Sequence, residues 1–375
     1  MNAIRPFTLD IPEADLADLA ARLDRTRWPE AATVDDWTQG TPLAALGELV
    51  AYWRTGYDWR RCEARLNAVG QFVTEIDGLD IHFLHKPSSR SDAVPLLLTH
   101  GWPGSVVEFL GVIDELTEPT VADTQAFHVI APSLPGYGFS AKPGATGWGV
   151  ERIAQAWTEL MQRLEYRRWM AQGGDWGAAV TMAIGQLAPS ECRGIHLNMP
   201  IGRPGPDDMQ SKDLKVLKAL QRLGFYQEWD SGYSKQQSTR PQTIGYGLVD
   251  SPSALAAWML EKVHYWTDNQ GSAWDVLTMD QVLDDVMLYW LPATGASAAR
   301  LYWESFGKFG DGTVSIPAGA SAFPREILPA PREWVERTLT NLVYWNDLDK
   351  GGHFAAWEQP KLFVSELRAC VAAMP

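Results

Sequence analysis

The stretch that constrains this chain most is Gly-Gly-Asp-Trp-Gly at residues 173–177, which has the pattern Gly-x-Asp-x-Gly. Residues 166–171 before it predict a buried strand, and residues 178–187 after it predict a helix. A strand that turns sharply into a helix between glycines is the pattern of a nucleophile elbow. Glycine suits the flanking positions because the turn crowds the backbone and leaves no room for a Cβ atom. The pattern therefore predicts that Asp175 is presented at the turn.

A carboxylate at such a turn favours a different chemistry from the usual serine. An aspartate is normally ionised at neutral pH, and it attacks a saturated carbon that bears a leaving group, as in an epoxide or an alkyl halide. The product is an ester on the enzyme, so a second step needs a base that activates water. The alternative is that Asp175 only caps the following helix. The glycines on both sides favour the nucleophile.

Composition excludes several classes of function. The 375 residues include 46% hydrophobic residues and 18 tryptophans, enough for a large core, and the net charge of −14 argues against a nucleic-acid partner. The three cysteines lack metal or redox spacing, so we expect them to be reduced: Cys62, Cys192 and Cys370. The sequence shows no signal peptide and no membrane span. We therefore expect a soluble, cytoplasmic protein without a membrane partner.

Strand and helix patterns alternate along the chain, which predicts an α/β fold with a mostly parallel sheet and helices on both faces. The alternation stops after the sixth predicted strand, where a helical and aromatic segment predicts an inserted lid. It resumes with predicted strands at 312–318 and 342–346. We therefore divide the chain into four segments. They are an N-terminal extension with leading strands (1–85), a first part of the core (86–198), the lid (199–305) and a second part of the core (306–375).

Several further motifs accompany the elbow: His-Gly-Trp-Pro-Gly-Ser at 100–105, Pro-Ser-Leu-Pro-Gly-Tyr-Gly-Phe-Ser at 132–140 and Gly-Gly-His-Phe-Ala-Ala-Trp-Glu at 351–358. With the opening motifs Arg-Pro-Phe, Ile-Pro and Arg-Trp-Pro, the chain resembles the microsomal-type epoxide hydrolases over nearly its whole length. The resemblance implies the α/β-hydrolase fold with that branch's N-terminal extension. It also implies a small apolar epoxide and water as substrates. Mammalian members carry an N-terminal membrane anchor that is not seen here, so we do not expect their membrane location.

His353 is the candidate general base because it follows the last predicted strand, where this fold order places the base. The alternative is a histidine held only by local loop hydrogen bonds. Resemblance points to Glu326 as the acid that orients it, although Glu326 could also be a charge in the first turn of a helix. Asp347 and Asp349 lie on the histidine's own loop and remain rivals. We expect His100 to shape a loop rather than move protons.

Opening an epoxide leaves an alkoxide, which needs a weak acid opposite the nucleophile. Phenols suit this role because an ordinary pKa near 10 keeps them protonated at neutral pH. The resemblance assigns the two donors to tyrosines of the lid, and Tyr233 and Tyr302 match those positions. The alternative is that both tyrosines only pack among the aromatic residues of the lid.

Two backbone N–H groups are expected to form an oxyanion hole. Trp176 follows the nucleophile directly, and Trp102 supplies the second donor because Pro103 has no N–H. We expect aromatic side chains, namely those of Trp102, Trp176, Tyr137 and Phe139, to line an apolar pocket.

The sequence therefore predicts an epoxide hydrolase that forms a vicinal diol in two steps. No phosphate-binding or metal-ligand spacing occurs, so we expect neither a cofactor nor a metal. A haloalkane dehalogenase, which also uses an elbow aspartate, and a non-catalytic binding protein on the same scaffold remain alternatives. The sequence leaves open the particular epoxide, the selectivity and the oligomeric state, a homodimer included.

Overall fold

The computed structural model describes residues 3–121 and 124–375. Its centre is a nine-stranded sheet with the order β1-β2-β3-β5-β4-β6-β7-β8-β9. Within the described residues, the strands in chain order are β1 (Arg5–Phe7), β2 (Gln71–Ile76), β3 (Leu79–Lys86), β4 (Val94–Thr99), β5 (Phe127–Pro132), β6 (Trp169–Gly173), β7 (Cys192–Leu197), β8 (Ala318–Ala322) and β9 (Leu342–Asp347).

Strands β1, β2, β3 and β5 pair antiparallel. The β2–β3 turn is formed by Asp77 and Gly78, whose φ angles are 52° and 77°. Positive φ at both central residues is typical of a type I′ hairpin turn, as the Asp-Gly dipeptide predicts. Strand β1, which pairs Arg5 with Val73, was not predicted. Three residues are too few to show a hydrophobic period.

The strands from β5 through β9 pair parallel in the order given above. Parallel strands are usually covered by helices on both faces, so their side chains are buried on both sides. Strand β4 has this property, because Leu96, Leu97 and Leu98 are all buried. The predicted α/β-hydrolase fold with a mostly parallel sheet is confirmed.

The helices of the described residues fall into groups along the chain. Three precede β2, and six more lie between β7 and β8 in a helical insertion that spans residues 199–305. The insertion follows the seventh strand and not the sixth, because β1 adds one strand. In chain order, the α-helices are α1 (Glu13–Asp24), α2 (Leu43–Thr55), α3 (Trp59–Val69), α4 (Ile113–Thr117), α5 (Val150–Arg163), α6 (Trp176–Leu187), α7 (Leu214–Phe225), α8 (Gly232–Thr239), α9 (Pro241–Asp250), α10 (Pro252–Trp266), α11 (Met279–Trp290), α12 (Gly295–Ser305), α13 (Arg332–Glu336), α14 (Ala355–Glu358) and α15 (Pro360–Ala373).

Strand β8 lies later in the chain than predicted. The prediction placed a strand at 312–318, but the strand begins at Ala318, and before it Val314 forms only an isolated bridge with Leu339. Pro317 interrupts the predicted run because it has no N–H for the ladder. The strand itself reads Ala-Gly-Ala-Ser-Ala and carries none of the bulky side chains that usually mark a strand.

The N-terminal helices brace the helical insertion through buried polar contacts. Asp284 on α11 accepts hydrogen bonds from the hydroxyl of Tyr57 at 2.8 Å and from the Arg61 guanidinium at 2.7 Å. Burial raises the pKa of Asp284, although Arg61 opposes that shift. Because a buried carboxylate is costly without partners, this contact fixes the insertion relative to the N-terminal extension. None of the helices described is long and apolar enough to cross a membrane.

Candidate active site

The nucleophile elbow has the strained backbone that its glycines predict. Asp175 lies between β6 and α6 with φ 51° and ψ −128°, a conformation that is costly for a residue with a side chain. A Cβ atom on Gly177 would overlap the Thr99 carbonyl, and one on Gly173 would overlap the Gly177 carbonyl. The close approach of strand, turn and helix therefore requires glycine at both positions.

The Asp175 carboxylate faces a buried site and not the helix that follows it. It makes no capping hydrogen bond to α6, so the capping alternative has no support. Its Oδ1 accepts a hydrogen bond from the backbone N–H of Trp102 at 2.8 Å. Its Oδ2 lies 3.5 Å from Nε2 of His353. Of the two backbone donors expected, Trp102 contacts this carboxylate, whereas no described hydrogen bond joins the N–H of Trp176 to it.

His353 lies between two carboxylates. Its Nδ1 donates to Oε1 of Glu326 at 2.7 Å, because a carboxylate can only accept, and Nε2 therefore faces Asp175. Burial lowers the pKa of His353, but Glu326 and Asp175 outweigh it and raise the pKa well above its usual value. The backbone N–H of His353 donates to the carbonyl of Trp266 at 2.9 Å, which fixes the loop against α10.

Glu326, and neither rival acid, contacts the histidine. Its side chain is only 1% exposed, and its Oε1 also accepts the N–H of Ile327 at 2.7 Å. Asp347 is exposed and pairs with Lys215 at 3.0 Å, and Asp349 is exposed as well. Chain proximity to the histidine was misleading because both aspartates point out of the loop.

The two lid tyrosines converge on the elbow from different helices. Tyr233 on α8 and Tyr302 on α12 have ring centroids 5.8 Å apart at 79°. The ring of Trp102 stacks on Tyr233 at 4.8 Å, and the ring of Trp176 meets Tyr302 edge-on at 4.8 Å. Burial raises the pKa of both phenols well above 10, with a further rise from the charge of Asp175. Both groups therefore remain protonated at neutral pH.

The hydroxyl groups of the two tyrosines have different partners. The Tyr302 hydroxyl is buried and has no hydrogen-bond partner among the described residues. The Tyr233 hydroxyl lies 3.3 Å from that of Tyr226. A buried, unpaired hydroxyl is costly, and a ligand that accepts a hydrogen bond would remove that cost.

A buried ion pair that no sequence motif predicts supports the ring of Tyr233. Nζ of Lys262 lies 4.8 Å from the centre of that ring and 2.7 Å from Oδ1 of Asp230. Oδ2 of Asp230 accepts from Nε1 of Trp266 at 2.8 Å. Lys262 is only 3% exposed, which is unusual for lysine and indicates a fixed cation beneath the ring. Its position in α10 gives no local sequence signal.

One aromatic residue expected at the pocket lies elsewhere. Phe139 packs against Phe7 at 5.7 Å and against His82 at 5.7 Å, beside the unpredicted strand β1. Tyr137 is buried near the site, and its hydroxyl donates to the carbonyl of Ala298 at 3.0 Å. Since β1 was not predicted, the packing of Phe139 against Phe7 of that strand was not predicted either.

His100 has a structural position. Its Nε2 accepts a hydrogen bond from the N–H of Leu134 at 3.1 Å, and burial lowers its pKa to about 4. A neutral imidazole in this role ties two core loops together. Across residues 3–121 and 124–375, no group of three or more His, Cys, Asp or Glu side chains is arranged to hold a metal ion.

Two family descriptions match this chain. Residues 4–109 match "Epoxide hydrolase N terminus", and residues 94–231 match "alpha/beta hydrolase fold". A protein of Stigmatella aurantiaca is 54% identical over 98% of this chain and 84% of its own length. Epoxide hydrolase 1 of Sus scrofa is 34% identical over 98% of this chain and 88% of its own length.

Solved structures agree with these sequence matches. The Aspergillus niger epoxide hydrolase superposes with a TM-score of 0.91 and 35% identity, covering 100% of this chain and 97% of that one. The juvenile hormone epoxide hydrolase of Bombyx mori superposes with a TM-score of 0.91 and 31% identity, covering 99% of this chain and 95% of that one. These relatives share the fold and the N-terminal extension, and their sequence similarity extends over nearly the whole chain. The chain therefore belongs to the epoxide hydrolase family.

Proposed function

We propose that this epoxide hydrolase opens a small apolar epoxide to a vicinal diol through a covalent ester on Asp175. The observation that carries the proposal is the carboxylate of Asp175 at a strained turn, next to His353 and beneath two buried phenols. No cofactor takes part in the proposed chemistry, since a carboxylate, an imidazole and two phenols supply every proton and electron pair that it needs.

In the first proposed step, Oδ2 of Asp175 attacks an epoxide carbon, and the bond from that carbon to the epoxide oxygen breaks. Tyr302 and Tyr233 donate hydrogen bonds to the oxygen as its negative charge develops. Their raised pKa values support this role because the protons are present before the reaction begins. The unpaired hydroxyl of Tyr302 also leaves a donor free for the substrate.

In the second proposed step, His353 removes a proton from water, and the water oxygen attacks Cγ of the ester on Asp175. The bond from Cγ to Oδ2 then breaks, and Oδ2 stays on the substrate carbon as a hydroxyl group of the diol, taking the proton from His353. The proton left on the new Asp175 carboxyl group passes to the oxygen of the opened epoxide, which restores the carboxylate.

Formation of the ester removes the carboxylate charge from Asp175 and with it one of the two groups that raise the pKa of His353. Glu326 remains as the other of these two groups, and its hydrogen bond with Nδ1 fixes the tautomer of His353. The N–H of Trp102 would stabilise the oxyanion, with Trp176 as the second donor in this proposal.

The substrate class follows from the surface around the nucleophile. The rings of Trp102, Trp176 and Trp266 surround the two phenols, so an apolar epoxide would exchange water for aromatic contacts on binding. The oxygen is the polar atom of an epoxide, and the hydroxyl groups of Tyr233 and Tyr302 provide its hydrogen-bond donors.

The decisive experiment uses His353→Gln with styrene oxide and intact-protein mass spectrometry. We expect a stable adduct on Asp175, because alkylation proceeds while hydrolysis of the ester stops. Absence of any adduct, while the folded variant still binds the epoxide, would contradict the proposal. Parallel measurement of diol formation from epoxides and of halide release from haloalkanes separates this activity from that of a dehalogenase.

A further inference from the structure

A buried ion pair connects two helical segments of the insertion beside Tyr233. Lys262 lies on α10, and Asp230 ends the π-helical turn Tyr226–Asp230 between α7 and α8. The two side chains are 3% and 10% exposed. The ammonium of Lys262 contacts three oxygens: Oδ1 of Asp230 at 2.7 Å, the carbonyl oxygen of Asp230 at 3.3 Å and Oε1 of Glu261 at 2.6 Å. An ammonium group has three N–H donors, so these contacts fix the position of the cation.

The ring of Tyr233 is held by this cation and by two indole rings. Nζ of Lys262 lies 4.8 Å from the centre of the Tyr233 ring, and the indole of Trp102 stacks on the same ring at 4.8 Å and 11°. The indole of Trp266 meets the ring edge-on at 5.2 Å. Its Nε1 donates to Oδ2 of Asp230 at 2.8 Å, so the ion pair fixes this indole as well. Together these contacts restrict rotation of the phenol about its side-chain bonds.

The backbone around Tyr233 gives its side chain limited support. Tyr233 is the second residue of α8 and lies in the first turn, where backbone N–H groups lack intrahelical acceptors. Its hydroxyl lies 3.3 Å from that of Tyr226, which is longer than a usual hydrogen bond between hydroxyl groups. The position of the Tyr233 hydroxyl therefore depends on the contacts of its ring.

Stability alone does not explain an ion pair at this place in the fold. Burial removes both charges from water, and their attraction often only offsets that loss, so apolar residues of similar volume are frequently as stable. Leu260 and Val263, the neighbours of Lys262 on α10, are buried and apolar, and an apolar side chain would suit this part of the helix. Charged hydrogen-bonding groups add a fixed direction of contact, which apolar side chains lack.

We propose that Lys262 and Asp230 are positioning residues for Tyr233, and that their ion pair fixes the phenol where its hydroxyl reaches the epoxide oxygen. The inference rests on the proposed function, because it assigns the pair to the step that forms the ester on Asp175. Neither residue of the pair bonds to the substrate or exchanges a proton with it. A misplacement of about 1 Å can slow a reaction by about 10²-fold, so even a small shift of the ring would be measurable.

The test removes both charges at once in Lys262→Met/Asp230→Asn, assayed in the full chain with styrene oxide. The replacements keep similar volumes, and the new amide oxygen can still accept the N–H of Trp266. Rapid-quench mass spectrometry measures formation and decay of the Asp175 ester separately. We expect ester formation to be about 10-fold or more slower than in the parent, and ester decay to stay within about 3-fold, because the pair acts on the phenol and not on the histidine.

A double-mutant cycle with Tyr233→Phe separates positioning from a general role in the fold. In a chain that already lacks the Tyr233 hydroxyl, removal of the ion pair should slow ester formation by less than about 2-fold, since the group that it positions is absent. The matched control is Arg61→Met/Asp284→Asn, which removes another ion pair with a buried carboxylate on the insertion. This control should lower Tm and keep ester formation within about 3-fold, with or without the Tyr233 hydroxyl.

Equal slowing with and without the Tyr233 hydroxyl would show that the pair only supports the fold. Unchanged ester formation, or the same slowing in the control pair, would also overturn the inference. Asp230→Asn alone leaves Lys262 paired with Glu261 and decides the question if the neutral pair does not fold. It should slow ester formation about 3-fold or more, again only when the Tyr233 hydroxyl is present. A failure of the proposed function is distinguishable, because the parent chain would then form no ester on Asp175.

Discussion

Nδ1 of His353 lies 2.7 Å from Oε1 of Glu326, a residue 27 positions earlier in the chain. The contact joins the loop after β8 to the loop after β9, and a backbone hydrogen bond from Arg325 to Gly351 at 3.1 Å connects the same two loops. Because parallel strands end at the same edge of the sheet, neighbouring strands bring these loops together. The orientation of the histidine therefore depends on the sheet and not on its own loop.

Glu326→Gln should slow hydrolysis of the ester by about 10²- to 10⁴-fold while alkylation proceeds, because the imidazole loses its fixed tautomer and the charge that supports its protonated form. Single-turnover kinetics with styrene oxide measures the two steps. Asp347→Asn is the matched control and should stay within about 2-fold of the parent, since that side chain is exposed. A larger effect at Asp347 than at Glu326 would contradict the assignment.

Asp175→Ala should abolish diol formation, with a loss of about 10⁴-fold or more, because no other group at the elbow can form the ester. Product analysis by liquid chromatography measures the loss. Asp349→Ala, on an exposed loop close to the histidine, should retain parent activity. Residual activity of the Asp175 variant near that of the parent would show that water attacks the epoxide directly.

Tyr302→Phe should slow ester formation by about 10²-fold and leave ester hydrolysis unchanged, because its hydroxyl acts on the epoxide oxygen only. Tyr233→Phe should act in the same direction, and the double variant should be slower than either. Pre-steady-state mass spectrometry separates the steps. Tyr246→Phe, an exposed tyrosine of the helical insertion, is the control. Slowed hydrolysis with normal alkylation would contradict this role.

Gly177→Ala should destabilise the fold by about 1–3 kcal/mol or more, because its Cβ atom would overlap the Thr99 carbonyl at the elbow. Urea denaturation measures the free energy of unfolding. Gly224→Ala is the matched control: it lies within α7 with nothing near its Cβ position, and we expect no loss or a gain of up to about 1 kcal/mol. Parent stability in the Gly177 variant would show that the elbow is less crowded than described.

The free energy of unfolding should depend on pH through Glu108, whose pKa burial raises from 4.5 to about 8. Between these values the folded chain binds a proton that the unfolded chain releases, so stability falls as the pH rises through this window. The titratable groups around Glu108 are His353, Asp175, Glu358, Asp285 and Tyr289.

Glu108→Gln removes this dependence. The difference in Tm, variant minus parent, should therefore become more positive between pH 5 and pH 8. Thermal unfolding at several pH values measures it, with Glu48→Gln as a control that should show a constant difference. A constant difference for the Glu108 variant as well would mean that the carboxyl ionises as it does in water.

Much of the candidate site was accessible from the sequence because short motifs encode local backbone demands. The Gly-x-Asp-x-Gly turn predicted the strained position of Asp175, since a crowded turn leaves its mark within a few residues. The alternation of strands and helices predicted the parallel sheet, because each element shows its own hydrophobic pattern over a short segment. Glu326, Tyr233 and Tyr302 came only from resemblance, because nothing in their own neighbourhoods distinguishes them from packing residues.

Motifs a few residues long were sufficient to predict a carboxylate at a tight turn of an α/β sheet and a histidine after the last strand. Three features depend instead on how distant elements pack: the acid that contacts that histidine, the aromatic rings that surround the phenols, and the cavity beside the nucleophile that Glu108 borders. The physical reason is distance along the chain. Local patterns report what the backbone needs within one turn or strand, whereas these contacts arise when separate elements pack together and exclude water.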